Sequence, residues 1–179
     1  SEITDDIKKI KDADKIILPG VGAFGYGMEN LKKIGLIDVL NKEVIENKKP
    51  FLGICLGMQL ICEKSYEEGE FEGLGWINAN VVKFDFKNEK LPVPHVGWNE
   101  VDCNLSSPIL QGGNNKQTFY FVHSFYPDVK DKSIVMGLCN YGVVFPAIIQ
   151  KENIFAVQFH PEKSQTEGLE ILRKFSEIH

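Results

Sequence analysis

The stretch Phe51-Leu52-Gly53-Ile54-Cys55-Leu56-Gly57-Met58-Gln59-Leu60 runs from one apolar segment through a glycine-cysteine-glycine turn into another. Residues 51–54 predict a buried strand, and the apolar spacing after Cys55 predicts a helix over 56–66. Gly53 and Gly57 flank Cys55 in the G-x-S-x-G pattern of a nucleophile elbow, with Cys in the Ser position. In that turn the glycines allow a tight reversal that lifts the sulfur above the sheet. A helix N-terminus beneath the sulfur favours thiolate, and the Leu56 N–H is placed to meet an oxyanion. A buried cysteine in an ordinary turn is the bland reading of the same residues.

Outward from this turn, Lys15–Leu18 predicts a second buried strand closed by Pro19-Gly20. A helix is expected to start at Thr4-Asp5-Asp6-Ile7, capped by the threonine hydroxyl, and to reach Asp14. Residues 28–47 carry apolar positions at helical spacing, broken at Gly35. After Gly73 the texture changes to short strands, predicted over 79–86, 98–101, 118–125, 133–141, 145–150 and 155–160, before a closing helix over 168–178. This order predicts a three-layer α/β fold with a mixed central sheet and a β-rich insertion, in a single domain over 1–179.

A thiolate needs a base, and His160-Pro161-Glu162 follows the apolar strand Phe155–Phe159. Spacing of two on an extended chain places His160 and Glu162 on one side, so that Glu162 can orient the imidazole while its other nitrogen faces Cys55. Taken singly, His160 reads as a turn residue and Glu162 as a helix-start acid; together with the elbow they read as a catalytic set. Gly20-Val21-Gly22-Ala23-Phe24-Gly25 formally spells the dinucleotide fingerprint. It lacks the downstream ribose-binding acid, because the next strand ends in the elbow. The loop can equally supply backbone N–H groups to an oxyanion beside Cys55, or be only a turn.

The chain has 179 residues, a formal net charge of −5 and 43% hydrophobic residues. That balance offers no electrostatic footprint for nucleic acid or an anionic membrane, and no apolar run is long enough to cross a bilayer. Cys55, Cys62, Cys103 and Cys139 form no C-x-x-C pair, so reduced thiols in a cytoplasmic protein are expected. His95, His123 and His179 stand apart from each other and from the cysteines, which argues against a metal; no cofactor is called for. In 120–126 the alternation puts Tyr120, Val122 and Ser124 on one face and Phe121, His123 and Phe125 on the other, and core packing is the favoured reading.

These residues resemble the class I glutamine amidotransferases, and within them the glutaminase subunits of imidazole glycerol phosphate synthases. The likeness is carried by Leu18–Phe24, Gly53–Leu60, Pro94–Asn99, Tyr120–Ser124 and Phe159–Ser164. It implies a flavodoxin-like fold, and it makes Cys55, His160 and Glu162 a triad that hydrolyses glutamine through a γ-glutamyl thioester and releases ammonia. Gly20, Val21, Gly22 and Leu56 would then serve the oxyanion, and Gln59, His123, Ser124 and Phe125 would lie near the bound glutamine. Phe125 stands where the family admits Tyr and offers no hydroxyl. The resemblance also implies a (β/α)8-barrel cyclase subunit as partner in histidine biosynthesis, faced by Trp98, Asn99, Tyr120 and Lys163. Relative to the family, a strand and a helix ahead of Ser1 are expected to be missing. Three other readings fit the motifs: a paralogue supplying ammonia to a sugar-modifying enzyme, a non-catalytic regulator of the same fold, and a hydrolase using the elbow.

Overall fold

The computed structural model describes residues 1–86 and 91–178; His179 lies outside them. The strands β1 (Ile16–Gly20) and β2 (Phe51–Cys55) form with β11 (Ile154–Val157) a parallel trio, β2 in the middle. The sheet continues antiparallel through β10 (Val143–Lys151), β9 (Val135–Tyr141), β6 (His95–Cys103) and β7 (Lys116–His123), in the order β1-β2-β11-β10-β9-β6-β7. Every residue of β2 is buried, as a central strand covered on both faces requires. Its alternation sends Phe51 into one core and Leu52 into the other. A second sheet, in the order β4-β3-β5-β8, combines β3 (Cys62–Ser65), β4 (Phe71–Glu72), β5 (Ile77–Lys83) and β8 (Phe125–Val129).

The first core packs Phe24 and Leu31 of α2 (Phe24–Lys33) and Leu36 and Leu40 of α3 (Leu36–Leu40) against Phe51, Met58 and Ile77. The second packs Ile171 and Phe175 of α5 (Gln165–Ser176) against Phe119, Phe145 and Phe155. Thus two layers of helix or insertion sandwich the central sheet. Gly35 interrupts the helical stretch between α2 and α3 in a left-handed conformation at φ +70, as its position predicted. The favoured core reading of 120–126 holds for Phe121 and His123, both buried, while Tyr120, Phe125 and Tyr126 are half-buried and Val122 is exposed.

Several helix boundaries differ from the sequence reading: α2 begins at Phe24 instead of 28, and α5 spans Gln165–Ser176 instead of 168–178. The helix after the elbow, α4 (Leu56–Leu60), ends at Leu60 instead of running to 66. Residues 62–65 form β3 because the Leu60 and Ile61 carbonyls and the Cys62–Ser65 edge are taken by the segment around Leu74–Ile77 and by β5. A partner strand distant in sequence has overridden helical spacing. The first helix, α1 (Ile7–Asp12), is capped by Asp6, whose carboxylate accepts from Lys8 N at 2.8 Å. Thr4 Oγ1 instead accepts from Asp6 N at 3.0 Å. No helix among the described residues is long and apolar enough to cross a membrane.

Candidate active site

Parallel neighbours end at the same edge of a sheet, so β1, β2 and β11 deliver three loops to one place. Gly20 lies in register with Cys55, and Ile54 with Val157. Cys55 sits between β2 and α4 at φ +52, a left-handed value that a side chain adopts only when its surroundings hold it there. Here the holding is close packing of backbone. A Cβ on Gly57 would lie 1.8 Å from Leu18 O, and one on Gly53 would lie 2.8 Å from Gly57 O. The two glycines of the motif therefore bring α4 onto β1 and β2, and the turn that results aims Cys55 into a cavity of about 200 Å³.

Val21, Gly22, Leu56, Gln59, His123, Ser124 and Phe125 line that cavity with Cys55. Glu67, Pro94 and Val122 line it too and were not expected at the site from the sequence. Glu67 was readable in principle, because the acidic run Glu67-Glu68 closely follows the elbow helix. Its carboxylate accepts from Phe24 N at 2.6 Å and so pins the exit of the glycine loop. Gln158, fully buried, is a second omission: its amide reaches Cys55 Sγ at 3.8 Å and accepts from Gln59 Nε2 at 3.1 Å. Nothing in the sequence marks it, since it reads as one more strand residue. Gly20 stands behind the cavity, and its missing side chain leaves room for Leu56.

His160 and Glu162 come together as expected, but on a different backbone. The chain turns through a short 3₁₀ segment, Pro161–Lys163, instead of continuing as a strand, and it still places Glu162 Oε1 2.8 Å from His160 Nδ1. A carboxylate only accepts, so Nδ1 carries the proton and Nε2 of the neutral ring keeps its lone pair. Among the described residues, Nε2 is buried without a hydrogen-bond partner. Ser164 fixes the turn by donating to His160 O at 2.6 Å and accepting from Tyr120 N at 3.0 Å, while His160 N donates to Tyr120 O.

The expected thiolate is not what this arrangement favours. Burial pushes the Cys55 thiol up to about 11 and the charge of Glu162 adds to the effect, outweighing the Leu56 N–H, the Gln158 amide and Lys163. A helix of five residues gives too little opposing field. Among the described residues no hydrogen bond joins Cys55 to His160; the sulfur's neighbours are Val122 O at 4.0 Å and the Gln158 amide. Cys55 is thus a thiol in this arrangement. No three His, Cys, Asp or Glu side chains among the described residues converge as metal ligands.

Outside the cavity, β6 and β7 present a partly apolar surface. Trp98 is 48% exposed and its ring meets Tyr120 edge-on at 5.8 Å, with Val96 and Val122 exposed beside them. Asn99 is half-buried and donates to Asn140 O at 3.0 Å, while Lys163 is exposed.

Residues 1–178 match the family described as Glutamine amidotransferase class-I. The chain is 52% identical over 171 residues to imidazole glycerol phosphate synthase subunit HisH 1 of Campylobacter jejuni, covering 96% of this chain and 84% of that protein. It is 45% identical over 178 residues to subunit HisH 2 of Pseudomonas aeruginosa, covering 99% and 87%. A solved structure titled as a glutamine amidotransferase superposes with a TM-score of 0.73 at 19% identity, covering 97% of this chain and 83% of that one. The glutaminase domain of Trypanosoma brucei CTPS with bound acivicin gives 0.65 at 16% identity, covering 97% and 75%. With its elbow, its mixed sheet and its matched length in agreement, the chain belongs to the class I glutamine amidotransferases.

Proposed function

We propose that this chain is the glutamine-hydrolysing subunit of an imidazole glycerol phosphate synthase, working as a single amidotransferase domain in the cytoplasm. The observation that carries the chemistry is that one sheet edge bears both a strained Cys55 and a His160 whose Nδ1 proton is held by Glu162. In the reaction, His160 Nε2 takes the Cys55 proton and the sulfur attacks the side-chain carbonyl carbon of glutamine. The carbonyl oxygen becomes an oxyanion facing the Leu56 N–H and the Gly20-Val21-Gly22 loop. The His160 imidazolium returns its proton to the leaving nitrogen as the C–N bond breaks, releasing ammonia. His160 then deprotonates a water that hydrolyses the γ-glutamyl thioester and regenerates the thiol. Gln59, Ser124 and Phe125 frame the substrate, and the Glu67 carboxylate on the cavity wall suits its α-ammonium.

A thiol near 11 with no bond to its base describes an enzyme at rest. That suits a subunit whose ammonia is useful only when an acceptor is ready. The acceptor we assign is a (β/α)8-barrel cyclase docking on the Trp98, Asn99, Tyr120 and Lys163 face, where exposed aromatic surface is available for burial. The names of the relatives favour this over the sugar-modifying alternative. The test is ammonia transfer in the complete synthase. Cys55→Ala is expected to lower glutamine-dependent synthesis at least about 10⁴-fold while leaving synthesis from added ammonium salt intact. Glutamine-dependent turnover by that variant would sink the mechanism, and failure of the wild-type gene to restore growth of a histidine auxotroph lacking this subunit would sink the pathway assignment.

A further inference from the structure

His95 on β6 and His123 on β7 are both buried and stand opposite each other in the antiparallel register. His95 Nδ1 lies 3.0 Å from His123 Nε2, and His123 Nδ1 lies 2.8 Å from the carbonyl oxygen of Phe125. A carbonyl only accepts, so His123 carries its proton on Nδ1 and presents a lone pair at Nε2. His95 must then carry its own proton on Nδ1 to donate there, which leaves its Nε2 to accept from the Asn99 amide at 3.4 Å. One backbone carbonyl thus dictates the tautomer of two rings. Both rings are neutral, since burial brings His95 down to about 4 and His123 to about 3. His95 is stacked on Tyr141 at 3.9 Å and on Phe121 at 4.8 Å, which fixes the plane of its ring.

The carbonyl at the end of this line is part of the cavity wall. Between β7 and β8 the strand is interrupted at Ser124, and Ser124 and Phe125 line the cavity there. Phe125 O also accepts from Gln59 Nε2 at 3.0 Å, the group that donates to Gln158 beside Cys55. We propose that His95 and His123 are positioning residues: the paired rings, each protonated on Nδ1, hold the Ser124–Phe125 wall of the glutamine cavity and tie it through Asn99 to the outer face of β6. Two apolar side chains could fill the same space but could not aim that carbonyl. Neutrality has its own use, because a charged His123 would repel the imidazolium that His160 becomes during turnover. The inference rests on the cavity being the glutamine site.

Two measurements decide it. Long-range ¹H–¹⁵N correlation on the ¹⁵N-labelled wild-type chain at pH 7, with resonances assigned by His95→Asn and His123→Asn, is expected to show both rings protonated on Nδ1 only. An Nε2–H ring or an imidazolium at either position overturns the relay, and this reading requires no variant to be active. In the complete synthase, His123→Phe is expected to raise KM for glutamine at least about 10-fold with kcat within about 3-fold. His123→Asn keeps a donor at the Nδ1 position and should bring KM back to within about 3-fold of wild type. Equal kinetics for the Phe and Asn variants, or loss confined to kcat, overturns the positioning role. If the wild-type synthase does not hydrolyse glutamine, the functional reading fails and takes this role with it, while the tautomers still report whether the relay exists.

Discussion

The two walls that hold Cys55 and His160 are built on opposite principles. The Cys55 wall is held by contact: Gly53 and Gly57 let backbone touch backbone, and the left-handed φ of Cys55 is the strain that this packing sustains. The His160 wall is held by directed bonds, from Glu162 to the ring and from Ser164 to the main chain on either side. Contact fixes a position rigidly but gives the sulfur a dry surrounding that suppresses its ionisation. Hydrogen bonds fix a proton's location, which is what a base requires. In the proposed enzyme both groups are therefore accurately placed while the Cys55 thiol stays protonated.

The contrast can be broken most severely on the contact side. Gly57→Ala would drive a methyl into Leu18 O, backbone that cannot rotate away, and is expected to cost about 4 kcal/mol or more, read by urea unfolding. An alanine variant of near wild-type stability would show that the elbow is not held by packing. On the bonded side, Glu162→Gln keeps an acceptor near His160 Nδ1 but removes the charge. Because Glu162 is half-exposed, a loss of about 10²-fold in kcat is expected, well short of what a buried carboxylate would give. Ser164→Ala leaves the Tyr120 N–H without its acceptor and should cost about 2 kcal/mol, with kcat falling more than KM is raised. Unchanged stability there would mean that the turn is held by something other than the hydroxyl.

Acid should separate the elbow from a third wall, the Ser124–Phe125 wall that His123 holds. His123 has a folded value of about 3, below the ordinary 6.5, so between these limits the unfolded chain binds the extra proton. Its contribution to stability is complete above about pH 6.5 and is lost as the pH falls, at about 1 kcal/mol per pH unit. Chemical denaturation of wild type and His123→Gln between pH 6 and 4 should show the variant with the shallower slope by that amount. The contact-held elbow has no such group and should add nothing to the slope.

Much of this was legible in the residues. Gly53-Ile54-Cys55-Leu56-Gly57 implied a strand-to-helix turn because only glycine tolerates the approach of backbone on both sides. His160 and Glu162 implied each other because two residues of separation brings them to one side in the extended chain and, as it turned out, in the 3₁₀ turn too. The end of α4 at Leu60 was not legible. Residues 61–66 satisfy a helical pattern, and only β5, from a later part of the chain, claims their edge as a strand. Gln158 was missed for a similar reason: nothing local distinguishes a glutamine in a strand until the fold lays it beside the sulfur.

The sequence by itself determined the chemistry available, a cysteine in an elbow with a histidine and a carboxylate later in the chain, because side-chain type and local turn geometry are properties of short segments. Only the tertiary structure decided the state of that chemistry. Ionisation of Cys55 depends on how dry its surroundings are, and the protons of His95, His123 and His160 depend on which acceptors lie opposite them; both are set by residues remote in the chain.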